Sequence, residues 1–141
     1  MIRAPQENDI VQIADIWLDT NLEAHNFIPA QYWRANFESV KELLPQAEMY
    51  VYEDENGIQG FVGLSGNYIA GIFVRSEAQS RGIGRQLIEY IKGVKKRLSL
   101  CVYQKNVRAV TFYQRENFEI CGEQVDQNTG ETEYRMAWTQ K

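Results

Sequence analysis

Residues 72–85 combine the residue types that proteins use to bind a phosphate group. The segment runs from an apolar, strand-like stretch through a polar loop into the start of a helix. Gly82 and Gly84 let the backbone approach a ligand closely, and the free N–H groups of a first helical turn favour an anion. Arg81 and Arg85 would add positive charge there. The segment therefore predicts a pyrophosphate site, the alternative being that the two glycines only shape a tight loop.

Two common phosphate-binding motifs do not fit this segment. A dinucleotide-binding fingerprint would need a third glycine at position 87, which is leucine. A P-loop would continue with Gly-Lys-Ser or Gly-Lys-Thr, and neither follows here. Because short glycine patterns recur by chance, the assignment depends on further motifs.

A second motif lies in the helical segment from Asn106 to Phe118. Asn106 is a favoured residue type for a helix N-cap, and Tyr113 follows on the same face. Asn117 precedes Phe118, and asparagine tolerates the left-handed conformation that often ends a helix. We read Phe112 and Phe118 as packing residues.

Together the two motifs resemble the GNAT superfamily of acyl-CoA-dependent N-acyltransferases. The superfamily signature, Gln/Arg-x-x-Gly-x-Gly/Ala, is similar to Gln79-Ser80-Arg81-Gly82-Ile83-Gly84, and its later Asn, Tyr and Gly-Phe features are similar to residues 106–118, with Asn117 in place of the glycine. The resemblance covers nearly all of the 141 residues in element order. It is closest to the small bacterial lysine N-ε-acetyltransferases, through residues 25–33 and 103–106.

The resemblance implies an acetyl-CoA site. The backbone of Ile72, Phe73 and Val74 would pair with the pantetheine arm, and an N–H near Phe73 or Val74 would stabilise the oxyanion formed from the thioester. Asn106 would contact the pantetheine while also capping its helix. The residues expected to hold the pyrophosphate are Gln79, Ser80, Arg81, Gly82, Ile83, Gly84 and Arg85.

The resemblance also implies that Tyr113 is the general acid. Attack by an amine expels a thiolate, and a phenol with an ordinary pKa of about 10 is a suitable proton donor at hydrogen-bond distance. The alternative is a half-buried core tyrosine whose hydroxyl contacts only water.

The general base and the acceptor site are less defined. The groups able to take the proton from the amine are Glu53, Glu23, His25 and a relayed water. A single histidine between helices is more often structural, although it titrates near neutrality. The candidate acceptor-site residues are His25, Phe27, Tyr32 and Trp33, whose spacing is also typical of a helix core.

Apolar periodicity and turn residues predict the elements that position these motifs. We expect the order βααβββαβαββ, with a type I′ hairpin at Asn56-Gly57 and a bulge at Gly71. The strand–helix–strand connection around residues 83–97 implies a parallel pair, so the sheet is mixed but mostly antiparallel, with helices on both faces. The fold class is α/β, or α+β with a mixed sheet, in one domain spanning residues 1–141. The expected strands are 2–4, 48–54, 58–65, 68–74, 98–103, 118–125 and 132–138.

Composition excludes several classes of protein. With 44% hydrophobic residues, 24% charged residues and three prolines, the chain is neither disordered nor fibrous. A net charge of −4 disfavours a nucleic-acid partner. Cys101 and Cys121 lie in apolar runs and are read as small core residues of a cytoplasmic protein, and with one histidine they predict no metal site. No apolar run approaches the roughly 20 residues of a membrane span, so we expect no membrane association.

These observations predict an acetyl-CoA-dependent N-acetyltransferase, a monomer or homodimer. The acceptor would be a primary amine, either a protein lysine or N-terminus or a small amine, that attacks the thioester directly. The alternative is a non-catalytic acyl-CoA-binding regulatory module, which the presence of Tyr113 disfavours. Acetylation of charged transfer RNA would want a basic face, and the cluster at residues 92–97 is better explained as a helix end.

Overall fold

Alternating apolar residues and short turns form one central sheet of seven strands. The structure, a computed structural model, describes residues 1–141. Its strands are β1 (Ile2–Arg3), β2 (Glu48–Asp54), β3 (Gly57–Ser65), β4 (Tyr68–Val74), β5 (Arg97–Tyr103), β6 (Glu119–Val125) and β7 (Thr132–Thr139). Its helices are α1 (Ile10–Ala24), α2 (Ala30–Leu43), α3 (Ile83–Val94) and α4 (Val107–Arg115). The predicted element order is confirmed.

The seven strands lie in the order β1-β2-β3-β4-β5-β7-β6. Every neighbouring pair is antiparallel except β4 and β5, which are parallel as the strand–helix–strand connection predicted. β1 and β6 are the edge strands.

The helices cover both faces of the sheet, because each carries an apolar stripe that needs a partner surface. The α3 stripe packs with α4 and the centre of the sheet in the larger core, which includes Leu87, Ile88 and Phe118. On the opposite face, α1 packs through Ile13 and Ile16 against β2 and β3, with α2 contributing partly buried residues. No helix is long and apolar enough to span a bilayer.

A bulge in β4 opens the sheet between β4 and β5. The register with β3 shifts between Gly63–Gly71 and Leu64–Ile69, which leaves Ala70 without a partner. β4 then pairs with β5 only at Tyr68 and Ile69, so the two strands separate towards their carboxyl ends. The predicted bulge is thus confirmed, and it is the origin of a cleft at the edge of the helices α3 and α4.

Two local predictions are wrong. The hairpin after β2 is not type I′, because Gly57 has a positive φ of 107° whereas Asn56 does not. Instead, the Asp54 side chain accepts a hydrogen bond from the Asn56 N–H at 2.8 Å. This Asx turn gives the Asn56 N–H a hydrogen-bond partner within the tight loop. Cys101 is half-buried and Cys121 is exposed rather than in the core, because α1 and α2 do not cover the sheet beyond β4 and β6 is an edge strand.

Candidate active site

The end of β4, beyond the point where it separates from β5, lies within a cleft of about 1340 Å³. Its walls are the end of α1, the end of β4, the loop into α3, and α4. The predicted site residues that line it are His25, Ile72, Phe73, Val74, Gln79, Ser80, Gly82, Ile83, Gly84, Arg85, Asn106 and Tyr113. The predicted residues outside the lining are Arg81, Phe27, Tyr32 and Trp33.

The backbone of β4 presents hydrogen-bonding groups to this cleft. The Arg75 N–H donates to the Gln59 carbonyl oxygen on β3 at 2.8 Å. Because backbone groups alternate sides along a strand, Phe73 also faces β3, whereas Ile72 and Val74 turn their N–H and C=O groups into the cleft. The Gln79 side chain donates to the Val74 carbonyl oxygen at 3.0 Å, which agrees with this direction. The Phe73 side chain packs instead on Phe61, 5.0 Å between ring centroids.

The loop into α3 has the backbone shape expected of an anion site. Ser80 and Gly82 have positive φ values of 67° and 81°, and the first-turn N–H groups of α3 follow directly. A Cβ at Gly84 would lie 3.3 Å from the Phe112 ring, so glycine allows α3 and α4 to approach closely here. Phe112, which the sequence analysis interpreted as a packing residue, also lines the cleft beside this loop.

The charges around this loop differ from the sequence-based prediction. Arg85 lines the cleft and pairs with Glu89 at 3.1 Å, whereas Arg81 turns towards Asp54 at 3.7 Å. Arg108, on the first turn of α4, reaches across the cleft and donates to the Ser80 hydroxyl at 3.2 Å. Arg108, which sequence reasoning missed, thus bridges two walls of the cleft. Lys92 on α3 does so too, by donating to the Glu116 carbonyl oxygen at the end of α4.

Asn106 caps α4 as predicted. Its side-chain oxygen accepts a hydrogen bond from the Ala109 N–H at 3.2 Å, and its Nδ2 lies 3.1 Å from Nε2 of His25. An amide nitrogen carries two hydrogens, so one N–H of Asn106 remains for a ligand in the cleft.

Tyr113 projects from α4 into the cleft and is 8% exposed. The Tyr113 side chain lines the cleft beside Ala109 and Phe112 on the same helix and Asn106 at its N-cap. Burial, and to a lesser extent the nearby Tyr68, raises the pKa of Tyr113 well above its usual range. The phenol is therefore protonated throughout the neutral pH range.

The candidate acceptor-site residues form one aromatic cluster. The His25 ring stacks on Trp33 at 5.4 Å and meets Phe27 and Tyr103 edge-on at 5.7 and 5.0 Å. Tyr32 packs on Trp33 at 4.9 Å. The Tyr103 hydroxyl donates to the Asp126 carboxylate at 2.7 Å, which joins this cluster to the β6–β7 turn. We call these five aromatic residues the aromatic cluster below.

The structure separates the candidate bases. Glu53 pairs with Arg3 at 3.0 Å on the β1 side of the sheet, and it does not line the cleft. Glu23 lines the cleft and is exposed. His25 lines it too, but burial lowers its pKa to about 4 and its Nε2 is engaged by Asn106. Of the three side chains, Glu23 is the one that lines the cleft and has no hydrogen bond or ion pair within the protein.

A comparison with protein families identifies the group to which the cleft belongs. The model of the GNAT acetyltransferase domain matches residues 45–120, which include β4, the loop into α3, and α4. The chain belongs to the GNAT family.

Similar proteins and structures agree with this GNAT assignment. The chain is 38% identical to the peptidyl-lysine N-acetyltransferase YiaC of Escherichia coli over 122 residues, which is 85% of this chain and 84% of that protein. The solution structure of apo YjaB from Escherichia coli superposes with a TM-score of 0.88, at 26% identity over 100% of this chain and 98% of that one. A Bacillus anthracis structure, described as a streptothricin acetyltransferase in complex with acetyl coenzyme A, covers 67% of this chain and 63% of its own with a TM-score of 0.61 at 26% identity.

This GNAT protein is accordingly an N-acetyltransferase that uses acetyl-CoA. The cleft fits such a ligand for two reasons. The backbone N–H and C=O groups of Ile72 and Val74 face it and can pair with an extended ligand, and the start of α3 can bind an anion. No group of three or more histidine, cysteine, aspartate or glutamate side chains is arranged to bind a metal ion.

Sequence reasoning missed Arg108, Asn21 and Tyr103. Arg108 lies inside the second motif, and Tyr103 lies in the segment 103–106 that carried the resemblance to lysine N-ε-acetyltransferases, but neither was assigned a role in the site. Asn21, one helical turn before His25, is 3% exposed and accepts from that ring, and the i, i+4 spacing of two polar residues on an apolar helix was its only signal.

Proposed function

We propose that this enzyme transfers the acetyl group of acetyl-CoA to the ε-amino group of lysine residues in other polypeptides. The observation that carries the proposal is the cleft where β4 and β5 separate, which is lined by the backbone of Ile72 and Val74 and by the side chain of Tyr113. The acceptor class is supported by the 38% identity to YiaC, a peptidyl-lysine N-acetyltransferase.

In this proposal β4 and the α3 loop hold acetyl-CoA, which supplies the acetyl thioester. The cleft-facing groups of Ile72 and Val74 pair with the pantetheine amides, and Asn106 donates its remaining N–H to the same arm. Val74, rather than Phe73, then directs an N–H at the thioester oxygen, where it stabilises the negative charge that develops during attack.

The pyrophosphate lies on the N-terminus of α3. The unpaired N–H groups at Ile83, Gly84 and Arg85 donate to its oxygens, in the manner of other helix starts. Gln79, Ser80 and Gly82 shape the loop, and Arg81 lies at its outer side. Arg108 adds positive charge from the opposite wall.

Tyr113 acts as the general acid. The acceptor amine attacks the thioester carbon, the bond from that carbon to sulfur breaks, and the Tyr113 hydroxyl protonates the departing thiolate. The nitrogen loses its second proton as the amide forms, and that proton returns through water to the Tyr113 oxygen. The acetyl group passes directly to the amine, so no residue is acylated. Glu23, reached through a water, takes the proton from the acceptor ammonium.

The test is release of free coenzyme A thiol from acetyl-CoA in the presence of lysine peptides and small amines, with wild type and Tyr113→Phe compared. We expect turnover with lysine peptides, and a loss of about a hundredfold or more in kcat for Tyr113→Phe, the size typical of a lost general acid. Because the phenyl ring is kept, the affinity for acetyl-CoA measured by calorimetry should change little.

Three outcomes contradict parts of the proposal. Turnover with polyamines but not with peptides overturns the acceptor class. Full activity of Tyr113→Phe overturns the general-acid role. Tight acetyl-CoA binding without turnover on any amine favours the regulatory-module alternative instead.

A further inference from the structure

A chain of side-chain hydrogen bonds joins the end of α1 to the start of α4 across the cleft. The Nδ1 atom of His25 lies 2.9 Å from Oδ1 of Asn21, and its Nε2 lies 3.1 Å from Nδ2 of Asn106. His25 and Asn106 are 81 residues apart in the sequence. The imidazole is therefore the link between the helix that carries the acceptor side and the helix that carries the cofactor side.

The neighbours of the ring determine where its proton lies. Asn21 donates its Nδ2 to the Trp17 carbonyl oxygen at 2.8 Å, so its Oδ1 is an acceptor and His25 Nδ1 carries the hydrogen. Asn106 uses its Oδ1 to accept from Ala109, so its Nδ2 donates to the lone pair on His25 Nε2. Both ends of the histidine are thus assigned, and its neutral Nδ1–H form is the one that fits.

The aromatic cluster holds this ring in place. Trp33 stacks on one face of His25, and Phe27 and Tyr103 meet its edges. Burial lowers the pKa of His25 to about 4, so the ring is neutral at physiological pH. The titratable groups on the surrounding elements are Glu23 on α1, Tyr32 on α2, Tyr103 on β5 and Lys105 before α4. A proton on Nε2 would face the N–H donors of Asn106 and break the link.

We propose that His25 is a positioning residue that holds the Asn106 carboxamide in the orientation required to bind the pantetheine of acetyl-CoA. With one N–H of Asn106 donated to His25 and its oxygen capping α4, the other N–H is aimed into the cleft. The proposal rests on the cofactor role of Asn106 given above. It replaces the role of His25 as a base, because the lone pair needed to accept a proton is already used.

Matched substitutions separate the two roles. Gln at position 25 can place an acceptor oxygen near the Nε2 position, whereas Asn reaches only the Nδ1 position, and Phe keeps the ring stacking without any acceptor. We expect His25→Asn and His25→Phe to weaken acetyl-CoA binding and raise its KM about fivefold to tenfold, as for the loss of one hydrogen bond, with kcat within about twofold of wild type. His25→Gln should stay within about twofold in all three quantities.

The measurements are calorimetric titration with acetyl-CoA and steady-state kinetics, with thermal unfolding as the check on folding. A fall in kcat with unchanged KM in all three variants would overturn the proposal in favour of a base. Equal acetyl-CoA affinity in wild type, His25→Phe and His25→Asn would overturn it as well. If wild type itself fails to bind acetyl-CoA, it is the proposed function that fails.

A measurement on the unliganded wild type keeps the inference testable if a variant does not fold. Long-range ¹H–¹⁵N spectra of the single histidine should show a protonated Nδ1 and an unprotonated Nε2 at neutral pH. The opposite tautomer, or a ring that exchanges between both, contradicts the assigned hydrogen bonds.

Discussion

At the scale of single residues, the charges facing the phosphate-binding loop are decided by side-chain direction. Arg81 lies within the phosphate-binding motif of residues 79–84, but its guanidinium turns to Asp54. Arg108 lies outside that motif, on α4, and contacts Ser80. Both arginines are exposed, so neither pays a large desolvation cost when an anion binds. The difference between them is therefore one of placement.

This placement predicts unequal effects of two otherwise similar substitutions. Arg108→Ala should weaken acetyl-CoA binding about fivefold to tenfold, because a charge-assisted contact to phosphate is lost at an exposed site. Arg81→Ala, the matched control, should change the affinity less than about twofold. Calorimetric titration at low and high salt checks both, and the salt dependence should be smaller for Arg108→Ala than for wild type. A larger effect at Arg81 than at Arg108 would contradict the prediction.

At the scale of elements, α4 is a short helix with specific contacts at both ends. Asn106 caps its start, and at its end the Phe118 N–H donates to the Tyr113 carbonyl oxygen at 3.0 Å while the Asn117 N–H donates to that of Gln114 at 3.1 Å. This is a Schellman motif, and Asn117 occupies its left-handed position with a φ of 72°. The expectation that Asn117 accommodates the left-handed conformation at the end of this helix is confirmed. The motif returns the chain into the core at Phe118 and so holds Tyr113 at the cleft.

Substitutions at Asn117 test this helix end. Asn117→Gly should raise the free energy of unfolding by up to about 0.5 kcal/mol, because glycine adopts positive φ without steric cost, whereas Asn117→Ala should lower it by about 1 kcal/mol. The residue is exposed, so no packing change obscures the comparison. Urea unfolding measures both values. If alanine is as stable as asparagine, the left-handed conformation is not what ends the helix.

At the scale of the whole molecule, one ion-pair network joins β1 to the start of α1 and to the neighbouring strand β2. Arg3 on β1 contacts Asp9, at the start of α1, at 2.8 Å and Glu53 on β2 at 3.0 Å. Asp9 is 6% exposed and also accepts from the Gln6 N–H at 2.7 Å. The hydrogen bond from Arg3 is the main reason that the pKa of Asp9 lies below its ordinary value.

This network makes stability depend on acid pH. Because folding lowers the pKa of Asp9, its contribution is present above the ordinary value of 3.8 and is lost as the pH falls through the lower folded value. Asp9→Asn should therefore lower the free energy of unfolding by about 2 kcal/mol at neutral pH, with wild type and variant converging in strong acid. Glu7→Gln, at an exposed position in the same turn, is the control and should have little effect. A difference that stays constant with pH would show that the carboxylate charge is not involved.

The sequence alone determined the order and nearly all bounds of the elements, the parallel pair, the bulge, both caps of α4 and the class of ligand. Apart from the class of ligand, which the resemblance to the GNAT superfamily implied, these features depend on patterns among residues close in the chain: periodicity, glycine conformation and side-chain capping. The Asn56-Gly57 turn was the local exception, because the Asp54 side chain competed for the backbone.

Only the tertiary structure decided how distant residues combine. It determined that the backbone N–H of Val74, rather than that of Phe73, faces the cleft. It also determined that Arg108 meets Ser80, that Cys121 lies on an edge strand and that His25 is joined to Asn106. Such contacts link positions tens of residues apart, and they depend on which strands become neighbours and how far β4 and β5 separate. No local pattern in the sequence specifies these contacts, because the same strand or helix sequence is compatible with several neighbours. The neighbours are fixed only when the whole sheet packs against its helices.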